Sequence, residues 1–189
     1  MIGRHDALVI VDPQNDFLPG GPLAVADGVR IFPPIRNIIK LFDYVIATRD
    51  WHPIDHHYFA THGGPWPLHC LQNTEGAQFS PEFPREGVHD IISKGIDPNT
   101  DGYSGFAATD LADRLRTHQI TRIFLCGLTT DYCVKATAIE AREYGFDAVV
   151  LLDAIAAVNV HPTDGERSIE AMLAAGVKLS LSSQLSRAQ

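Results

Sequence analysis

Short apolar segments recur along the chain and predict the strands of a sheet. Six of them, rich in Val, Ile and Leu without strict alternation, are Ala7–Val11, Tyr44–Ala47, Ile91–Ile92, Ile123–Cys126, Ala148–Leu152 and Val177–Leu181. Such segments are typical of strands buried on both faces. Apolar residues between them return every three or four positions and indicate helices: Val29, Phe32, Ile35, Ile38, Ile39 and Phe42; Leu111 and Leu115; Val134, Ala138 and Ala141; Ile169 and Leu173. This alternation predicts an α/β fold with a parallel sheet.

Turn and capping residues define several boundaries of these elements. Thr163–Glu166 has the pattern of a capping box for the last helix, and Gly145 and Gly176 stand where two helices should end. The segment Trp51–Phe83 is rich in Pro, Gly and His and has no sustained period, which is typical of a functional loop. We expect the last residues, Ser183–Gln189, to be a frayed tail.

Composition and charge narrow the class of protein. The 189 residues suit a single domain over 1–189, and 45% hydrophobic with 20% charged residues is typical of a globular protein. The net charge of −8 predicts that neither nucleic acid nor an anionic membrane is a partner. The N-terminal apolar segment is too short for a signal peptide, and three cysteines suit a reducing compartment, so we expect a cytoplasmic protein.

Reactive side chains follow four of the predicted strands. Asp12 comes after the first strand, Asp50 after the second, Lys94 after the third, and Cys133 follows a tight turn after the fourth. Ligands of doubly wound sheets bind at the carboxyl ends of the strands, where the strand order reverses. We therefore expect these four side chains to share one edge of the sheet.

Cys133 is the candidate nucleophile. Its position at the start of a helix predicts a lowered thiol pKa, and the free N–H groups there can receive an oxyanion. Asp12 could accept the thiol proton while Lys94 stabilises the charged forms. The alternative for Cys133 is a small buried apolar residue, which is the interpretation for Cys126 and also for Cys70.

A second cluster has the chemistry of a metal site. Asp50 and His52 are two residues apart and would lie on one face of an extended segment, and His69 adds a second imidazole. Carboxylate and imidazole ligands suit one divalent ion, with Zn favoured and Fe or Mn as alternatives. His56, His57 and His62 lie in the same loop, so spacing alone leaves the ligand set open. A polar, solvated loop is the other interpretation.

Several segments together resemble the nicotinamidases, a group of isochorismatase-like cysteine hydrolases. The matching segments are Asp12–Phe17, Arg49–Pro53, Gly63–Cys70, Lys94–Gly95, Tyr103–Phe106 and Gly127–Val134. The resemblance extends from about Ala7 to Leu181 and implies three α/β/α layers with strand order 3-2-1-4-5-6. This sequence has Thr129 where relatives often have Ala, and Tyr58 where a small residue is usual.

The resemblance also implies a role for each matching residue. Asp12, Lys94 and Cys133 would form a catalytic triad, and Asp50, His52 and His69 would bind the metal, with His56 as a further candidate. The aromatic residues Phe17, Trp66 and Tyr103 would enclose a pyridine ring, whereas Phe106 is interpreted as ordinary packing. A cis peptide at Leu128–Thr129 would direct the backbone N–H groups of Thr129 and Cys133 at the oxyanion.

The implied activity is metal-dependent hydrolysis of nicotinamide to nicotinate and ammonia through a Cys133 thioester. The residues are also compatible with three alternatives. The chain could hydrolyse another small amide or a carbamoyl, isochorismate or ureidoacrylate substrate. It could be a zinc hydrolase in which Cys133 is structural, or a non-catalytic binding module on the same fold. The sequence leaves homo-oligomerisation open.

Overall fold

Six parallel strands form one sheet in the computed structural model, which describes residues 1–187. The strands are β1 (Asp6–Val11), β2 (Tyr44–Asp50), β3 (Asp90–Lys94), β4 (Arg122–Leu128), β5 (Asp147–Ala156) and β6 (Lys178–Ser180). Their order is β3-β2-β1-β4-β5-β6, and all pairs are parallel. The predicted α/β class, the six-stranded parallel sheet and its order are confirmed. The order reverses between β1 and β4, so their carboxyl ends open a crevice.

Helices on both faces of the sheet complete three layers. They are α1 (Phe32–Ile38), α2 (Leu111–Thr117), α3 (Lys135–Glu143) and α4 (Asp164–Ala174). Buried residues of α1 share one apolar cluster with Leu8 and Val45, whereas those of α2, α3 and α4 share the opposite cluster with Ala7 and Val9. Neighbouring residues of one strand thus contribute to opposite faces, which explains the continuous apolar segments.

The apolar spacing misplaced parts of two helices. Val29 is 42% exposed and lies in a 3-10 turn before α1. Leu173 is 50% exposed, because α4 buries a neighbouring stripe that contains Gly165 and Met172. A Cβ at Gly165 would lie 2.9 Å from the Ala157 Cβ, so close packing requires a small residue there. Small residues carry no hydrophobic signal, so the pattern assigned Leu173 to the buried stripe wrongly, whereas Ile169 does pack against the apolar cluster of α2, α3 and α4.

The start of α4 differs in detail from the prediction. The helix begins at Asp164, but no side chain caps it from Thr163, so the predicted capping box is wrong. The Asp164 carboxylate instead accepts a hydrogen bond from the His161 N–H (2.8 Å), and Asn159 Oδ1 accepts one from the Gly165 N–H (2.9 Å).

Of the other predicted boundaries, the two helix ends are confirmed and the frayed tail is not. Gly145 and Gly176 have φ values of +88° and +82° just past α3 and α4, which confirms both helix ends. The tail prediction is wrong for 183–187, because the Ile2 N–H donates to the Ser186 carbonyl (2.7 Å) and Arg187 pairs with Asp43. The rest of the predicted tail, 188–189, lies outside the described residues. Within 1–187, no helix has the length and apolarity needed to span a membrane.

The long segment Trp51–Phe83 contains a single short 3-10 turn, Ala60–His62, among its described residues. Isolated bridges tie it down: His52 pairs with Leu71, Phe59 with Trp66, and Phe79 with Gln14 in the segment after β1. These bridges fold the loop back over the carboxyl ends of β1 and β2.

Candidate active site

Lys94 lies at the centre of a buried cluster at the carboxyl ends of the strands. Its Nζ is 2.8 Å from Asp12 Oδ2, 2.6 Å from Asp50 Oδ1 and 3.3 Å from Cys133 Sγ, and it also donates to the Gly102 carbonyl (3.0 Å). Lys94 is 1% exposed. The three residues of the predicted triad are thus in one cluster, and Asp50 joins them through the same ammonium group.

Burial and mutual charge set the protonation of this cluster. Burial raises the pKa of Asp12 to about 6, although Lys94 opposes the rise. Burial opposes the charge of Lys94, but the carboxylates of Asp12 and Asp50 prevail and hold its pKa well above the usual range. Burial would also raise the pKa of Asp50, but Lys94 lowers it below the ordinary value. Lys94 and Asp50 are therefore charged at pH 7, and Asp12 is poised to exchange a proton.

The thiol of Cys133 differs from the expectation based on its helix position. Burial raises the pKa of this thiol well above the ordinary value despite the opposing effect of Lys94, so the predicted lowering is wrong. Cys133 lies inside a π-helical turn, Thr130–Val134, that precedes α3, rather than at an open helix end. The resting group is a thiol, and its activation requires a base nearby. A carboxylate oxygen of Asp12 lies within 4.8 Å of Sγ.

Thr48 orients Asp12 and was missed by the sequence reasoning. The Thr48 hydroxyl donates to Asp12 Oδ1 (2.6 Å) and lies 3.3 Å from the Asp12 backbone N–H, which donates to it. Among the described residues, Oδ2 has no hydrogen-bond partner besides its ion-pair contact with Lys94. Oδ1 is thus held by the Thr48 hydroxyl, whereas Oδ2 faces the Lys94 ammonium group. The sequence feature that could have indicated Thr48 is its polar side chain inside the buried strand β2.

The turn that contains Cys133 has two special features, a cis peptide before it and a carboxylate that links it to another segment. The Leu128–Thr129 peptide is cis, as the resemblance implies, and Thr129 is 3% exposed beside Cys133 in the cavity wall. The buried Asp131 carboxylate accepts hydrogen bonds from the backbone N–H groups of Val158 (3.1 Å) and Asn159 (2.7 Å). Asp131 thus joins the turn that contains Cys133 to the segment after β5, a link that the sequence did not reveal.

Asp50, His52 and His69 form a buried group whose potential ligand atoms lie within 4.8 Å of one another. His52 Nδ1 bonds the Gly95 carbonyl (2.9 Å) and His69 Nδ1 bonds the Pro67 carbonyl (2.8 Å), which leaves Nε2 of each ring for a metal. Carbonyl partners on the second ring nitrogen are the usual support of metal-binding histidines. The three predicted ligands therefore suit a divalent ion in both type and arrangement.

Gly95 makes room for His52 in this group. Its φ is +63°, and a Cβ at this position would lie 2.3 Å from His52 Cε1. Only glycine satisfies both the backbone angle and the close approach of the imidazole.

His56 lies beside the three ligands with an unsatisfied nitrogen. Its ring centroid is 4.5 Å from that of His52, and its buried Nε2 has no hydrogen-bond partner among the described residues. Burial, aided by His52 and His57, lowers the pKa of His56 to about 4, so the imidazole is neutral at pH 7. A buried neutral imidazole with a free nitrogen fits a metal ligand, although His56 lies outside the group of three.

Asp12, Asp50 and Cys133 also lie within 4.8 Å of one another. Lys94 Nζ contacts all three of them, however, and an ammonium group in this place opposes a second cation. Within this cluster, the histidine side of Asp50 is therefore the side that suits a cation.

A cavity with mainly aromatic walls connects Cys133 to the histidines. The three aromatic residues predicted for substrate binding, Phe17, Trp66 and Tyr103, all line it together with Cys133, and Trp66 Nε1 donates to the Tyr103 hydroxyl (2.8 Å). Phe106 is instead buried in the apolar cluster of α2 and α3, as predicted. Lining residues that the sequence reasoning did not assign are Leu23, Phe59, Asp101, Tyr132 and Val158.

Tyr58, which departs from the usual family pattern, also lines this cavity. Its ring meets that of Tyr103 edge-on, with centroids 5.9 Å apart, and its carbonyl accepts from the Trp66 N–H (3.1 Å). The substitution therefore adds aromatic surface to the wall of the cavity.

Residues 6–184 match the family model described as the isochorismatase domain. The chain belongs to the isochorismatase family. Within this family it is similar to the nicotinamidase of Escherichia coli (strain K12), with 37% identity over 92% of this chain and 93% of that protein.

Solved structures of family members agree with this assignment. PnC1 from L. infantum in complex with nicotinate has a TM-score of 0.94 and 38% identity, covering 99% of this chain and 98% of its own. Pyrazinamidase of Pyrococcus horikoshii in complex with zinc has a TM-score of 0.86 and 44% identity, covering 94% and 99%.

Proposed function

We propose that this isochorismatase-family protein hydrolyses nicotinamide to nicotinate and ammonia, with Cys133 as nucleophile. The observation that carries the proposal is the contact of Lys94 with Asp12, Asp50 and Cys133 at the base of an aromatic cavity. A flat, uncharged pyridine amide suits the aromatic wall, and its carboxamide would face the thiol. The similarity to proteins named nicotinamidase supports this substrate.

Acylation begins when Asp12 accepts the thiol proton and the Cys133 sulfur attacks the carboxamide carbon. A carboxyl group with a pKa near 6 can take this proton and return it at neutral pH. The developing oxyanion is received by the backbone N–H groups of Thr129 and Cys133. Asp12 then gives its proton to the leaving nitrogen, so that ammonia departs and a thioester remains on Cys133.

Deacylation uses the same base. Asp12 accepts a proton from water, the resulting hydroxide attacks the thioester carbonyl, and the proton returns to the sulfur as nicotinic acid leaves and ionises to nicotinate in solution. Throughout both steps, Lys94 keeps a positive charge beside Asp12 and the sulfur, which stabilises the thiolate while it exists.

Asp50, His52 and His69 would hold one divalent ion, with His56 as the fourth protein ligand. Zinc is the preferred ion because the ligand set is borderline in softness, and a zinc-bound relative supports this choice. When bound, the ion supplies a Lewis acid that orients and polarises the substrate.

Incubation of the purified protein with nicotinamide should release nicotinate and ammonia in equal amounts. The test is a chromatographic assay for nicotinate run in parallel with an enzymatic assay for ammonia. An N-carbamoyl amino acid serves as the comparison substrate and should be cleaved at least about 100-fold more slowly, because a flexible charged chain leaves the aromatic wall unfilled. Preferred cleavage of the carbamoyl compound would refute the proposed substrate.

Replacement of single histidines by alanine should distinguish those that bind the metal from those that do not. We expect His69→Ala to weaken zinc binding by more than about 100-fold, and His56→Ala by at least about 10-fold, since both would remove direct ligands. His62→Ala should change zinc affinity less than about twofold, because His62 is exposed and its Nε2 contacts the Ile54 carbonyl. The measurement is competition with a chromophoric chelator at constant pH. Unchanged affinity in His56→Ala would remove His56 from the ligand set.

A further inference from the structure

The side chain of Gln14 pairs with the backbone of Asp50. Its Oε1 accepts the Asp50 N–H (2.8 Å), and its Nε2 donates to the Asp50 carbonyl (2.8 Å) and to the Ala77 carbonyl (2.9 Å). Gln14 is 0% exposed, so all three bonds form away from water. Both polar backbone atoms of Asp50 are therefore bound to a single side-chain amide.

This pairing replaces sheet hydrogen bonds that β1 does not supply. The register of β1 and β2 ends at Ile10 and Ala47, whereas β2 continues for three more residues to Asp50. The chain turns away after β1 at Asp12, whose φ is +46°. On the other side, Asp50 remains paired with Lys94 of β3. Without Gln14, the side of β2 that faces β1 would end in unpaired, buried backbone groups.

The position of Asp50 matters because its carboxylate is shared between two functions. Oδ1 lies 2.6 Å from Lys94 Nζ, and Oδ2 lies 3.5 Å from His52 Nε2 on the side of the histidines. A small displacement or rotation of the Asp50 backbone would move one oxygen toward its partner and the other away. Which partner each Asp50 oxygen contacts therefore depends on the hydrogen bonds that fix the Asp50 backbone.

We propose that Gln14 is a positioning residue that holds Asp50 so that one oxygen binds Lys94 and the other faces the metal. The inference rests on the proposed function, since it assumes that Asp50 is a metal ligand. Through Ala77, the same amide also fixes the far end of the loop that contains His52 and His69. The geometry of the metal site and the charge balance of Lys94 are thus linked through one side chain.

The test compares wild-type protein with Gln14→Met and Gln14→Asn. Methionine matches glutamine in length but has no amide, whereas asparagine retains the amide but is too short to reach both Asp50 groups. We expect each variant to bind zinc about 10–100-fold more weakly by chelator competition, as for other partners that support a metal ligand. The absorption spectrum of the Co²⁺-loaded protein should shift, because it reports the geometry of the ligands.

Gln72→Met is the matched control. The Gln72 amide donates to the Trp51 carbonyl (3.0 Å) in the same loop but bonds neither Asp50 nor the histidine side chains. We expect its zinc affinity to change less than about twofold and its Co²⁺ spectrum to match the wild type. Thermal unfolding of each variant is recorded separately, so that a loss of stability is not mistaken for a loss of ligand geometry.

A folded Gln14 variant with wild-type zinc affinity and Co²⁺ spectrum would overturn the inference, whatever its melting temperature. If Gln14→Met does not fold, Gln14→Asn decides the question. Zinc binding and ammonia release by the wild type test the proposed function, and the ratio of variant to wild type tests Gln14. A wild type that releases ammonia but binds no zinc would overturn the inference and leave the amidase chemistry intact.

Discussion

Replacement of Cys133 by alanine should lower kcat/KM for nicotinamide by at least about 10⁴-fold, because the sulfur forms the covalent intermediate. Asp12 would remain beside the substrate, but its proton transfers would have no nucleophile to activate. The zinc affinity of Cys133→Ala should match the wild type within about threefold, since Asp50, His52 and His69 stay in place. The measurements are steady-state ammonia release and chelator competition on the same preparation.

Cys126→Ala is the control for this substitution. Cys126 is also buried, in β4, but it does not line the cavity, so its loss should affect stability and leave kcat/KM within about threefold. A Cys133→Ala protein that retains activity only while zinc is bound would instead support a zinc hydrolase. That outcome would contradict Cys133 as the nucleophile.

The fold and the proximity of the site residues could be predicted from the sequence, because both follow from the order of the strands. Buried parallel strands leave a continuous apolar signal, and the chain position just after such a strand specifies one edge of the sheet. Asp12 follows β1 directly, and Asp50 and Lys94 are the last residues of β2 and β3, so their proximity could be predicted without any knowledge of the loops. The candidate roles of the aromatic residues came from the family resemblance rather than from periodicity.

Properties that depend on loop paths were not accessible. Gln14 and Asp131 act on backbone groups far away in the chain, and a side-chain bond to a distant backbone leaves no periodic signal. The thiol pKa of Cys133 depends on its depth of burial, which the local position at a helix start does not reveal. Thr48 was predictable in part. A hydroxyl inside a buried strand requires a hydrogen-bond partner, but the sequence does not indicate that this partner is Asp12.

Replacement of Lys94 by methionine should impair both stability and activity. The side chain fits a similar volume, but the buried carboxylates of Asp12 and Asp50 lose their shared cation. Breaking a buried ion pair by removing one partner costs about 3–5 kcal/mol, and we expect this loss in the free energy of unfolding. kcat/KM for nicotinamide should fall by at least about 10³-fold, because the thiolate loses its stabilising charge and Asp12 becomes harder to deprotonate.

The double variant Lys94→Met with Asp12→Asn separates the two effects. Asparagine needs no cation, so the double variant should be more stable than Lys94→Met alone by about 1–2 kcal/mol, while activity stays lost because the base is gone.

Lys94→Met should also be less destabilised at pH 5 than at pH 8. Burial without the cation raises the folded pKa of Asp12 further, and a carboxyl with a raised pKa gains stability as pH falls below that pKa. Urea unfolding at both pH values, with a chelator present throughout, measures these differences. Equal stability of the single and double variants at pH 8 would show that Lys94 does not compensate the charge of Asp12.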